Sequence, residues 1–134
     1  MDKNIINCPQ WKKRVRAMQF IYSQLILDDS CEIAKKIAYQ DYLVIGADFL
    51  NLLEYFVSNK RQIINEIEKY LDKKWNFDRL NYVDQAILIL GYIEYKLTKN
   101  DKSIIIDQAI ITAKNYSGED NYKYINAILN NIIQ

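Results

Sequence analysis

Reversing a β-strand within two or three residues calls for backbone conformations that glycine supplies most cheaply and proline helps to pre-set. This chain holds three glycines (Gly46, Gly91 and Gly118) and one proline (Pro9) in 134 residues. That supply is too thin for a strand-rich fold, so the expectation is all-α. The length suits one domain over residues 1–134. Half of the residues are hydrophobic, enough for a substantial core.

Helical periodicity can be followed along the chain. Pro9 suits a first helical position, where its missing N–H has no partner to lose. Trp11, Val15, Met18, Tyr22 and Leu25 then recur at steps of four and three, forming one stripe. Lys12, Lys13 and Arg16 fall on the other side, but so do Phe20 and Leu27, which suggests a helix touching two bodies. Further helices are expected over 32–39, 41–57 and 61–71. Gly46 would lie inside the third, admitted by close packing, and Ser58-Asn59 would cap the fourth. Residues 72–78 break the pattern and form a connection.

Asn81 is placed to cap the next helix, with Asp84 in its first turn. Ala86-Ile87-Leu88-Ile89-Leu90 is apolar almost all round, which marks a buried central helix, with Glu94 emerging where the run ends. Residues 103–116 form another helix that Gly118 should terminate. A last helix presents Ile125, Ile128, Leu129 and Ile132 to the core. The pattern shows no internal repeat or low-complexity tract.

Catalytic options are few. There is no histidine, hence neither the commonest general base nor the commonest metal ligand. Cys8 and Cys31 make no zinc site and are expected as small buried or half-buried hydrophobes in a reducing compartment. No glycine-rich phosphate loop occurs. A binding protein without cofactor or metal is expected. The N-terminus lacks the apolar segment of a signal peptide, and the longest apolar run, 86–93, is far below the roughly 20 residues that span a bilayer. The expected location is the cytoplasm, without membrane association.

What remains is charge. Residues 1–20 hold Lys3, Lys12, Lys13, Arg14 and Arg16 against Asp2, a local charge of +4 in a chain of net +1. Near the other end, Glu119-Asp120-Asn121-Tyr122-Lys123-Tyr124 opens a helix with acids, amides and aromatics. If the fold brings the two ends together, they form a mixed basic and aromatic surface able to hold single-stranded RNA, whose bases are read by stacking and by bonds to their edges.

Three stretches resemble the NusB family of bacterial transcription antitermination factors. Arg14-Val15-Arg16-Ala17-Met18-Gln19-Phe20-Ile21-Tyr22 is similar to the family's R-x-x-A-x-Q-x-L-Y. The second stretch runs from Trp75-Asn76-Phe77-Asp78-Arg79-Leu80 through Val83-Asp84-Gln85-Ala86-Ile87-Leu88 to Tyr92-Ile93-Glu94. The third runs from Ile106-Asp107-Gln108-Ala109 through Ala113-Lys114-Asn115-Tyr116 to Glu119-Asp120 and Tyr124-Ile125-Asn126-Ala127-Ile128-Leu129. Gln108 stands where the family usually has glutamate, and Ala127 where it has glycine.

The resemblance implies about seven helices in two small packed bundles. It also implies two partners: boxA RNA in leaders of ribosomal RNA transcripts, and NusE, a small-subunit ribosomal protein. The pair would join the elongating RNA polymerase through other Nus factors and make it resist termination. For RNA the expected residues are Lys12, Lys13, Arg14, Arg16, Gln19, Glu119, Asp120, Asn121, Lys123 and Tyr124. For NusE they are Tyr22, Tyr92 and Glu94, reaching one exposed groove. The alternative is a helical protein-interaction scaffold with weakened or lost RNA binding. A fragment of a ribosomal RNA cytosine methyltransferase, some of which carry NusB-like domains, is disfavoured because the chain has no room for a methyl-donor domain.

Overall fold

The computed structural model describes residues 9–71 and 76–133. Among these there are six α-helices and no strand. The helices are α1 (Pro9–Leu27), α2 (Cys31–Gln40), α3 (Tyr42–Lys69), α4 (Tyr82–Leu97), α5 (Lys102–Tyr116) and α6 (Asn121–Ile132), with one 3-10 turn at Phe77–Arg79. The chain is all-α, as its composition implies.

The helices form two groups. α2 and α1 pack on α3, and α5 and α6 pack on each other and on α4. α1 joins the groups, lying against both α3 and α4, so it does touch two bodies. α4 meets α1, α3, α5 and α6, and ten of its sixteen residues are buried. Leu88, Ile89 and Ile93 are fully enclosed. Burying each such side chain stabilises by about 1.5–3 kcal/mol, which explains why the run at 86–90 fixes the centre. Gly91 lets α6 come close: a Cβ there would stand 3.0 Å from Leu129 Cδ2.

Local signals account for several helix ends. The Asn81 side chain accepts from the Asp84 backbone N–H at 2.8 Å, the expected cap. Ser30 caps α2 through the Ile33 N–H. Lys60 Nζ donates to the Gln24 carbonyl at 3.0 Å and lies 2.8 Å from Asp28, placing a cation at the C-terminal end of α1. Asn59 leaves helical geometry (φ −131°, ψ 24°), interrupting α3 where Ser58-Asn59 suggested a break.

Two glycines and a cysteine depart from expectation. Gly46 is no helix-interior contact. It has φ +79° and ψ 169°, a region essentially reserved for glycine, so the helix is broken there and redirected. Gly118 does not end α5 in a left-handed conformation; Ser117 already terminates it in extended backbone. Cys31 is exposed, its Sγ 3.6 Å from the Val57 carbonyl, because Ala34 and Ala38 occupy the buried side of α2. Cys8, Trp75 and the connection at 72–75 lie outside the described residues.

Candidate nucleic-acid interface

α1 is buried around most of its circumference, and one strip remains open. Lys12, Arg16 and Gln19 are exposed along it, with Lys13 half-buried at its edge. Lys12 and Lys13 have no ion pair among the described residues. Arg16 does: its guanidinium binds both carboxylate oxygens of Asp41, at 3.0 and 3.2 Å. That hydrogen bond and the facing charge hold Arg16 more firmly protonated still.

On the other flank of the strip, α1 meets the end of α5. Trp11 Nε1 donates to Thr112 Oγ1 at 3.1 Å, and its ring lies 6.5 Å from that of Tyr116. Tyr22 lines a groove of about 290 Å3 with Asn81, Tyr82, Val83, Tyr116, Ser117 and Gly118. Beneath this groove Asp84 is buried and accepts from the Ser117 hydroxyl and from Asn121 Nδ2, the latter at 3.0 Å. Burial pushes the Asp84 carboxyl above the usual carboxylate range, opposed by its bonds with Ser117, Asn121 and Asn81. α1 is therefore joined to the end of α5 and, at Tyr22, to the turn at Ser117 and Gly118; beyond that turn Glu119, Asp120 and, in α6, Lys123 are exposed.

Residues 12–134 match the NusB family. The chain belongs to the NusB family. It is similar to the transcription antitermination protein NusB of Ligilactobacillus salivarius, 34% identical over 84% of this chain and 78% of that protein. The proteins of the same name from Bacillus mycoides and Bacillus cereus are 34% and 35% identical, each over 89% of this chain and 92% of theirs.

Against the NusB-based expectations, four residues are placed differently. Arg14 does not face outward. It is 7% exposed, donating through Nε to Glu94 Oε1 at 3.0 Å, through a terminal nitrogen to Glu94 Oε2, and to Gln108 Oε1 at 2.7 Å. Glu94, 1% exposed, does not emerge at all; it also accepts from Asn100 Nδ2 at 2.8 Å. The reason is mutual: a lone buried charge is prohibitive, whereas a bidentate pair with each guanidinium nitrogen bonded is tolerated.

Tyr92 is the third. Its hydroxyl donates to Glu66, and it borders a separate pocket with Tyr70, Tyr95, Lys96 and Ile132. Burial, then the Glu66 bond, raises its phenol to about 12, while that bond helps to hold Glu66 below its ordinary range. The Tyr22 groove lies at the Asn81 end of α4, and thirteen residues of helix separate Asn81 from Glu94, about 20 Å. Tyr22, Tyr92 and Glu94 thus share no groove. Asn121 is the fourth, its amide turned inward to Asp84 and Ser117 Oγ.

The remaining candidates stay near the surface. Tyr124 is half-buried, packed against the core. Lys123 faces Asp120 at 3.4 Å in an exposed pair, worth little. Sequence reasoning passed over Tyr82, Tyr116 and Ser117 as groove residues and gave Asp84 only a helix-end role. The acid in the first turn of a buried helix was the available clue.

Proposed function

We propose that this NusB-family protein is a transcription antitermination factor that binds boxA RNA of nascent ribosomal RNA transcripts together with NusE. The assembled pair then joins the elongating RNA polymerase through other Nus factors and suppresses termination, by binding and assembly without catalysis. The observation that supports this reading is the open strip of α1, where Lys12, Arg16 and Gln19 are exposed and Lys13 is half-buried, on a helix that also meets Thr112 and Tyr116 at the end of α5. Cations there hold phosphates, and Gln19 and Lys123 offer bonds to base edges. Arg14 is assigned to support the strip from below rather than to touch RNA.

Tyr22 and the groove beside it form the NusE surface in this reading. Glu94 holds Arg14, and Tyr92 belongs to another cluster, so neither is needed there. Most of the groove comes from rigid elements, the N-terminus of α4 and the end of α5, suiting it to a preformed partner.

The test is fluorescence-anisotropy binding of boxA RNA and a scrambled control, with and without NusE. Marked tightening for boxA when NusE is present is the expected result. Equal binding of both RNAs under every condition defeats the reading. A second reading, a scaffold that has kept NusE and lost RNA, is favoured by the neutralisation of Arg14 by Glu94 and of Arg16 by Asp41. It is supported if NusE binds while neither RNA does.

A further inference from the structure

The corner between α2 and α3 carries an apolar surface that the strip and groove do not use. Tyr39 at the end of α2 is 66% exposed, and Tyr42 at the start of α3 is 39% exposed. Their rings stack on each other, centroids 5.8 Å apart and planes 19° from parallel. Leu43 beside them is 94% exposed. Tyr39 leaves most of its surface in water and Tyr42 over a third, with Leu43 beside them, and such patches usually mark a binding face.

The corner is tied to the strip on α1. Asp41, between the two tyrosines in sequence, is the residue whose carboxylate holds the Arg16 guanidinium. Lys13 approaches the same region from α1, its Nζ 3.4 Å from where a Cβ on Gly46 would stand. The left-handed Gly46 breaks the helix four residues after Tyr42, so the Tyr42 turn stands apart from the rest of α3. The result is a stacked aromatic pair alongside Lys13 and the Arg16–Asp41 ion pair.

We propose that Tyr39 and Tyr42 form a base-stacking platform that continues the RNA path beyond the strip on α1. Resting on the RNA-binding reading above, it assigns the corner to nucleotides flanking the boxA element. Stacking on a tyrosine face is indifferent to base identity, so the platform adds affinity without adding sequence preference. The charged groups that adjoin the rings, Lys13 and the Arg16–Asp41 pair, suit a phosphate-bearing ligand, and the exposed Leu43 and Val44 extend the same turn.

The test compares boxA RNA with the same RNA carrying six added adenosines at one end or the other. Anisotropy titrations use the full chain, with NusE present throughout. For the wild type, one extension is expected to tighten binding about tenfold, the contribution of one stacked base. The double variant Tyr39→Ala/Tyr42→Ala should lose that gain and keep its affinity for the unextended RNA. Tyr39→Phe/Tyr42→Phe, which preserves the rings, should keep the gain.

No gain from either extension in the wild type, with unextended boxA still bound, overturns the platform and leaves the proposed function standing. The same holds if the alanine variant retains the gain. Loss of NusE binding in the alanine variant, with RNA affinity unaltered, assigns the corner to protein instead and also overturns it. Failure of the wild type to bind any RNA removes both proposals together.

Discussion

Replacing Arg14 with methionine separates a structural arginine from one that touches RNA. In the native protein the guanidinium binds both oxygens of the Glu94 carboxylate and bonds Gln108, with both charged groups buried. Methionine fills similar volume but leaves Glu94 buried with the Asn100 amide as its remaining side-chain donor. Breaking a buried pair in this way costs about 3–5 kcal/mol. For a domain of this size that corresponds to a fall in Tm of roughly 10–20 °C. Adding Glu94→Gln removes the stranded charge, so the double variant should recover a good part of the loss.

Urea unfolding followed by far-UV circular dichroism measures the stability, and RNA anisotropy across a salt series measures the contacts. Four phosphate contacts from Lys12, Lys13, Arg14 and Arg16 would give a log–log salt slope near −3 for single-stranded RNA, at about −0.7 per contact. With Arg14 withdrawn into the core the slope should be about −2. Arg14→Met, assayed where it is folded, should leave that slope unchanged. The reasoning is refuted if Arg14→Met is within about 1 kcal/mol of the wild type while its RNA affinity and salt slope both fall.

Other outcomes follow from the same geometry. Gly46→Ala forces a Cβ into a glycine-only conformation and should cost about 1–3 kcal/mol in urea unfolding, with NusE binding retained by the folded protein. Asp84 has a folded-state pKa raised above its unfolded value, so its contribution is present in acid and lost as pH rises through the folded value. The stability advantage of the wild type over Asp84→Asn should therefore shrink as pH rises above about 4, the ordinary carboxylate value, which paired urea titrations would show. Tyr22→Ala should weaken NusE capture at least tenfold in a surface-plasmon assay with Tm little changed, because Tyr22 is partly exposed at the groove mouth. Lys12→Gln/Lys13→Gln should reduce the magnitude of the RNA salt slope by about 1.4 and leave folding intact.

Local chemistry was legible in the sequence, and pairing across the chain was not. The cap at Asn81, the enclosed run at 86–90 and the core face of α6 depend on residues a few positions apart, and each was found where periodicity placed it. The NusB resemblance supplied the order of the helices. Arg14 and Glu94 are 80 residues apart, and nothing near either one says that the other will neutralise it. Each therefore looked like a surface charge with a binding role. Asp84 and Asn121, 37 residues apart, were separated in the same way. Gly46 failed for a different reason: in a helix-periodic stretch a glycine can be a packing notch or a break, and only the backbone angle distinguishes them.

The pairing of Arg14 and Arg16 also bears on how quickly RNA could find this surface. Long-range attraction depends on uncompensated charge, and each arginine is matched by a carboxylate within its first layer of contacts. From a Debye length away, α1 presents mainly two lysines, on a body whose other residues, beyond the first twenty, sum to −3. Such a field gathers polyanions weakly, so encounters should proceed near the unassisted rate of about 10⁵–10⁶ M⁻¹s⁻¹ rather than a steered one. Random transcripts would then seldom be captured in passing. Capture of RNA on α1 would then depend on contacts made after encounter, a kinetic consequence of two ion pairs, one buried and one at the surface.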